Sequence, residues 1–373
     1  AGIVYGTALG ATQLNADSNV PGTFAYTPAT GTVLNAGTQT LFADFTPTNL
    51  VNYTTAAKSV VINVGQATPA VIWTNPAAIS YGTALSATQL DASASVAGVF
   101  IYTPAAGVVL STGTQTLRVD FTPSDGVNYA SVSKTVQITV SQLTPTITWA
   151  SPVGIGFGTA LSATQLNATA SATGTFTYTP AAGTVLNIGA QTLHVDFTPS
   201  DAANYTAALK DVQINVAKVT PTITWTNPVD IGHGAALSAT QLNATASVAG
   251  TFNYTPAAGT VLNSGTQTLH VDFTPSDVVN YTAASKEVQI NVAKVTPTIT
   301  WTNPSGIPYG TALGATQLNA TASVAGTLVY TPAAGTVLDA GTQTLHADFT
   351  PTDTENYNPR SKDVPINVAK VTP

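Results

Sequence analysis

The residues of this chain return at a fixed interval of 76, with neither insertion nor deletion. Trp73, Trp149, Trp225 and Trp301 keep that spacing, and so do Tyr53, Tyr129, Tyr205, Tyr281 and Tyr357. A period this constant demands stacked copies of one small unit, not one large fold built around a single centre. With Pro69 as the first position, the repeats run 69–144, 145–220, 221–296 and 297–373, Pro373 already opening a further frame. Residues 1–68 are a copy without its first eight positions. Only fourteen positions differ between 145–220 and 221–296, so the unit reads as multiplied for length.

A unit of 76 residues buries a modest fraction of its surface, so contacts between neighbours are expected to supply part of the stability. Charged residues make up 7% of the chain and the net charge is −7. That balance excludes a nucleic-acid partner, because no basic patch exists to neutralise phosphates. Hydrophobic content of 44% argues for packed cores and against disorder. The chain has no Cys and no Met. Disulfides and thiolate–metal sites are therefore ruled out, and each core must stand by packing alone. Lack of both sulfur residues also suits an exposed surface protein, since they are the main targets of oxidation. No apolar run reaches membrane-spanning length, and Ala1 does not open a signal peptide.

Residues 145–220 serve as the type copy. Thr146–Trp149 alternates polar and apolar and predicts a short strand ended by Pro152. Ile155 and Phe157 alternate with glycines, a second short extended piece. Ser162-Ala-Thr-Gln165 has capping-box spacing and predicts one helical turn. In 174–180, Phe176 and Tyr178 share one face, opposite a row of Thr. Pro180-Ala-Ala-Gly183 reads as a turn whose Gly takes positive φ. Leu193, Val195 and Phe197 point inward in the next strand. Tyr205–Ala208 begins another, and Val212, Ile214 and Val216 close the unit. Short alternating strands separated by Gly, Pro and Asn turns predict an all-β fold, an antiparallel β-sandwich in each of five tandem modules.

Asp201-Ala-Ala-Asn-Tyr205 has the spacing that immunoglobulin-type domains carry in their tyrosine corner, and the motif returns in every copy, with Asn49 replacing Asp in the first. With it, Gly-Thr-Gln-Thr-Leu-His-Val-Asp-Phe-Thr-Pro-Ser-Asp-x-x-Asn-Tyr at 265–281 resembles the group-three bacterial immunoglobulin-like repeats of adhesins and secreted repeat proteins. The resemblance implies an immunoglobulin-like sandwich in which Tyr53, Tyr129, Tyr205, Tyr281 and Tyr357 are buried corner residues with their hydroxyls bonded to upstream backbone. The antibody-type disulfide is absent, Ala207 standing two residues past Tyr205. The front half, with Ile-Pro-Tyr-Gly-Thr-Ala-Leu at 307–313, departs from the commonest members.

Chemistry is sparse. His194, His270 and His346 share one frame position, each two residues from Asp196, Asp272 or Asp348 on the same outward face. Two side chains are too few for a metal or an acid–base pair, and Arg118 and Phe42 occupy the slot elsewhere, so an ordinary surface pair is expected. His233 replaces Tyr81, Phe157 and Tyr309 in another slot and reads as a packing substitute. The 17 acids are scattered, a thin set for the six to eight oxygens calcium takes. No cofactor and no metal is expected. Sequons stand at Asn52, Asn167, Asn204, Asn243, Asn253, Asn280 and Asn319. Rows such as Thr175/Thr177 suit solvent-facing strands by β-propensity alone, without an ice-binding role. No Ser/His/Asp, paired-carboxylate or phosphate-cradling motif recurs, so an enzyme is not expected.

The segment Val216-Ala-Lys-Val-Thr-Pro221 carries no Gly/Ser-rich hinge, and proline stiffens its surroundings. The expectation is a structural array at the cell surface or outside the cell: a stalk, fibre or matrix filament whose partners are neighbouring copies or modules. The alternative is a multivalent adhesin that binds glycan or protein through repeated faces. Five modules of about 35–40 Å each, from strand lengths, would span roughly 180–200 Å. Because the first copy lacks the Pro-Thr-Ile-Thr-Trp-Thr-Asn-Pro segment seen at 221–228, an upstream module that supplies it is also expected.

Overall fold

The computed structural model describes residues 2–372, and every element is a strand, turn or loop. The logic is plainest in repeat 221–296. Its central strand, Gly265–Pro275, buries Leu269, Val271 and Phe273 and turns Thr268 and Asp272 to solvent, as a period of two requires. It pairs antiparallel on both sides. Gly250–Thr255 lies opposite with Phe252 beside Phe273, and Ala284–Ala293 with Val288 beside Leu269. A short edge strand, Ile231–Gly232, completes the four-stranded sheet. The second layer is a two-stranded piece, Ile223–Thr224 against Thr245–Ala246. The core between the layers is closed by Trp225, Leu237, Leu242, Leu262 and Ile290.

The same four-stranded sheet forms in all five repeats, and the two-stranded layer in the four that start at 69, 145, 221 and 297. The array is thus five tandem immunoglobulin-like modules, two-layered β-sandwiches in the four that start at 69, 145, 221 and 297. Glycine is dictated by geometry both at a turn and at a close strand approach. Gly259 closes the turn after Pro256 at φ +89°, a region that favours glycine, and Gly183 does the same at φ +88° in its repeat. A Cβ on Gly250 would sit 2.4 Å from the Thr274 carbonyl oxygen and 2.5 Å from the Phe273 ring, so the strand passes too close for a side chain.

The single turn expected at the capping-box segment is present: the Ser162 N–H and Oγ both meet Gln165 Oε1, at 3.1 and 3.0 Å, and the Gln165 N–H bonds back to the Ser162 carbonyl at 3.0 Å. Two details differ from the sequence reading. The edge strand runs parallel, not antiparallel, to the closing strand, with Ile231 opposite Val292. The strand expected from Tyr205 begins at Ala208, because the Tyr205 N–H bonds back to the Asp201 carbonyl at 3.1 Å and closes a turn there.

Contact density divides the chain into two units, one reaching Ser151 and including Leu166–Ala181 and Leu193–Val212, the other holding the remainder. The joints of repeat one with two and of two with three lie wholly in the first unit. Those of three with four and of four with five lie wholly in the second.

Candidate functional site

The recurrent Asp-x-x-Asn-Tyr turn sits at the joints. In the second repeat Asp125 Oδ1 accepts the Asn128 N–H at 3.1 Å, and Asn128 Nδ2 donates to Asp125 Oδ2 at 2.8 Å. These bonds fix the turn and hold the Asp125 carboxylate below the usual carboxylate range, with the Asn128 side chain as the main cause. Asp277 and Asp353 are lowered in the same way by Asn280 and Asn356.

A turn fixed in this way presents its remaining groups to the preceding repeat. Asn128, itself buried, accepts the Ala36 N–H on Oδ1 at 2.8 Å. Its backbone carbonyl accepts the Ala67 N–H at 2.9 Å, and the Ala67 carbonyl accepts the Ala130 N–H at 2.9 Å. The connector is therefore zipped onto the next module as one parallel bridge, Ala67 with Tyr129. Gln66 Nε2 donates to the Gly126 carbonyl at 2.7 Å. The Tyr129 ring meets Tyr5 of the preceding repeat edge-on, with centroids 5.2 Å apart and planes at 80°.

The other joints repeat the bridge and the ring contact, and two of them also the grip of the Asn side chain on the preceding loop. Bridges form at Leu143 with Tyr205, Val219 with Tyr281 and Val295 with Tyr357. Thr112 and Ser264 donate their backbone N–H to the Asn204 and Asn356 Oδ1 atoms at 3.1 and 2.7 Å. Where Gln gives way to Lys, the ammonium serves instead: Lys218 Nζ reaches the Val278 carbonyl at 2.6 Å and Lys294 the Thr354 carbonyl at 2.7 Å. The ring slot holds Tyr81, Phe157 and His233 in turn, each edge-on to the following tyrosine at 5.3, 5.7 and 5.3 Å.

The tyrosines assigned to a corner thus lie elsewhere. Tyr129, Tyr205, Tyr281 and Tyr357 are half-buried against the preceding repeat, while Tyr53, with no ring beside it, is 49% exposed. The bond from hydroxyl to upstream backbone belongs to a different tyrosine. Tyr254 Oη accepts the Ala244 N–H at 2.9 Å, with the ring 5.4 Å from Trp225, and Tyr102 and Tyr178 act likewise. Sequence reasoning missed the Asn side chain and the Gln/Lys of the connector, and that the planar slot lies at a joint. It did read His233 as a packing substitute for Tyr81, Phe157 and Tyr309, and the His233 ring packs on Tyr357 as those of Tyr81 and Phe157 pack on Tyr205 and Tyr281.

The histidines fall on the outer face, each between two acids. His270 Nε2 lies 3.1 Å from Asp272 and its Nδ1 3.3 Å from Glu287 on the neighbouring strand. His194 lies between Asp211 at 2.6 Å and Asp196 at 3.2 Å, and His346 between Asp363 and Asp348. Hydrogen bonding raises all three pKa values above the ordinary imidazole range, chiefly through Asp211, Asp272 and Asp363 respectively. The cross-strand acid had a readable signal too. Arg118 faces Thr135 and Phe42 faces Ser59, so the acid appears only where the histidine does.

Of the sequon asparagines, Asn52, Asn167, Asn243, Asn253 and Asn319 are exposed. Asn204 and Asn280 are committed instead, donating to Asp201 and Asp277 at 2.9 and 2.8 Å. Among the described residues no group of three or more His, Cys, Asp or Glu converges as a metal site, and no helix is long and apolar enough to cross a membrane.

No protein-family model and no curated protein matches the chain. Among solved structures it is similar to Drosophila N-cadherin EC1-4, at 10% identity over 69% of this chain and 84% of that one, with a TM-score of 0.22. It is also similar to Sidekick-1 immunoglobulin domains 1-5, at 8% identity over 89% and 86% with a TM-score of 0.21. A third similar structure is the ICAM-5 D1-D4 ectodomain fragment, at 10% identity over 93% and 100% with a TM-score of 0.23.

Proposed function

We propose that the chain is a structural repeat array of the bacterial immunoglobulin-like type, working outside the cell as a stalk, fibre or matrix filament. Its modules are bounded near residues 68, 144, 220 and 296, and it acts without enzymatic chemistry. One observation carries the reading. The recurrent Asp-x-x-Asn-Tyr motif is spent on joints in the second to fifth repeats, where it ties the connector of the preceding repeat to the next module. A free linker leaves neighbouring domains to reorient, whereas a connector bonded along its length holds its two modules in one geometry. Spacing is the property that such joints confer. The repeated signature Gly-Thr-Gln-Thr-Leu supports the family type, and the absence of Cys and Met supports an exposed setting.

Because the chain has no native Cys, the reading can be tested cleanly with paired spin labels. Ser59→Cys and Thr135→Cys place labels on equivalent exposed positions of the first two repeats. Double electron–electron resonance should return a single narrow distance, which broadens when Asn128→Ala and Tyr129→Ala are added. A broad distribution in the parent protein would defeat the proposal.

A further inference from the structure

The second repeat stands apart along one free sheet edge. Its strand Gly98–Thr103 ends the four-stranded sheet and pairs on one side only, with Gly113–Pro123. The Ser124 N–H bonds to the Ala97 carbonyl at 2.9 Å. Bonded pairs alternate along an antiparallel ladder, so Val99, Ile101 and Thr103 spend their main-chain groups on that partner. Gly98, Phe100 and Tyr102 therefore turn theirs to the free edge. On the outer face of the same strand stand Val99, 63% exposed, and Ile101, 61% exposed. Among the described residues no other strand carries two exposed large apolar side chains two positions apart. The third and fourth repeats put Thr175 with Thr177 and Thr251 with Asn253 in these places. The devices that blunt an edge, a charge, a proline or a bulge, are all missing from 98–103.

We propose that this edge joins two copies of the chain, Gly98–Thr103 pairing antiparallel with itself across a two-fold axis at Phe100. The contact rests on the reading of the chain as a structural array and specifies how neighbouring copies meet. The strand is its own complement. With Phe100 facing Phe100, Gly98 faces Tyr102, and every main-chain group turned to the edge finds a partner. The intervening pairs are non-bonded ones, where side chains approach most closely, and there Val99 of each copy meets Ile101 of the other. The exposed β-branched residues thus cover one another. On the inner face the half-buried Phe100 ring, already 4.8 Å from that of Phe121, gains its twin. A slip of two residues either way sets Val99 against Thr103 or Ile101 against Ala97 and orphans main-chain groups, so the register is specified. A charged partner finds nothing to hold, because Arg118 and Asp120 beside the strand pair with each other at 2.7 Å. One strand pair buries less than the roughly 1,200 Å² of a standard interface. The contact is therefore weak between free chains and gains by repetition where copies are held side by side.

The test is sedimentation velocity on the full chain over a range of concentrations, with cysteine cross-linking to read the register, since the chain has no native Cys. A reversible equilibrium between monomer and dimer is expected in the parent protein. Val99→Lys with Ile101→Lys sets like charges directly opposite and should weaken it at least tenfold. Val99→Thr with Ile101→Thr copies the edge of the third repeat, so folding is not in question, and should weaken it several-fold. Under mild oxidation an equimolar mixture of Val99→Cys and Ile101→Cys chains should give a covalent dimer faster than either variant alone. A parent chain that stays monomeric at millimolar concentration overturns the proposal. So does a dimer unaffected by either pair of substitutions, or cross-linking by Val99→Cys alone as fast as in the mixture. The spin-label distance across the first joint is measured within single chains at a dilution where no dimer forms, so the stiffness of the joints and the pairing of copies fail separately.

Discussion

Replacing Asn128 by Ala removes the side chain that both fixes its own turn and grips the preceding repeat. Lost are the bond from the Ala36 N–H at 2.8 Å, the bond to Asp125 at 2.8 Å and a longer one to Asn35 at 3.3 Å. A neutral hydrogen bond is worth about 0.5–1.5 kcal/mol net and one to a charged group about 1.5–3. Asp125 is exposed and regains water, and Ala36 is half-buried and regains it in part. The expected loss is therefore about 1.5–3 kcal/mol, a factor of roughly 10–150 in the local opening constant. Melting of the whole chain is a poor readout, since five near-identical modules do not report one two-state free energy. Hydrogen exchange at the joint is direct: the Ala67 and Ala130 amides, both bonded across it, should lose protection by that factor. Asn52→Ala is the internal control. It changes the same motif position where no preceding ring or loop is engaged, and should alter protection nowhere else in the chain. Unchanged protection at Ala67 in Asn128→Ala would refute the clasp.

Other outcomes follow from the same geometry. Trp225→Ala should cost about 3–5 kcal/mol, enough to open one small module, and limited proteolysis should then cut within 221–296 while the other repeats persist. Tyr254→Phe should destabilise its module by about 1–2 kcal/mol by orphaning the buried Ala244 N–H, whereas Tyr281→Phe should stay within about 0.5, as judged by exchange in that repeat. NMR titration should give His194, His270 and His346 pKa values above the ordinary imidazole range, and Asp363→Asn should lower that of His346. Since folding raises these values, their contribution to stability is full below the unfolded imidazole pKa and disappears as pH rises through the folded one. A chelator should leave the melting temperature unchanged, because the acids are too scattered to build an oxygen cage, and a large drop would contradict this.

The sequence by itself determined the period, the all-β class and the inner face of each strand. Leu269, Val271 and Phe273 alternate with Thr268, His270 and Asp272, and only one face of a pleated strand can take all three apolar residues inward. Gly183 at the turn was equally legible, because positive φ leaves few other choices. What stayed hidden was much of what has its partner in another copy or on another strand. Asp-x-x-Asn-Tyr has the spacing of a corner within one module and of a clasp between two, and in a perfect repeat both readings recur with the same period. The structure separates them by distance. Tyr129 meets Tyr5, 124 positions upstream, while the hydroxyl-to-backbone role falls to Tyr102, ten positions after Ala92. The parallel pairing of Ile231 with Val292 was unreadable for a similar reason: two residues hold no periodicity, and their direction is fixed only by the sheet edge left open beside them.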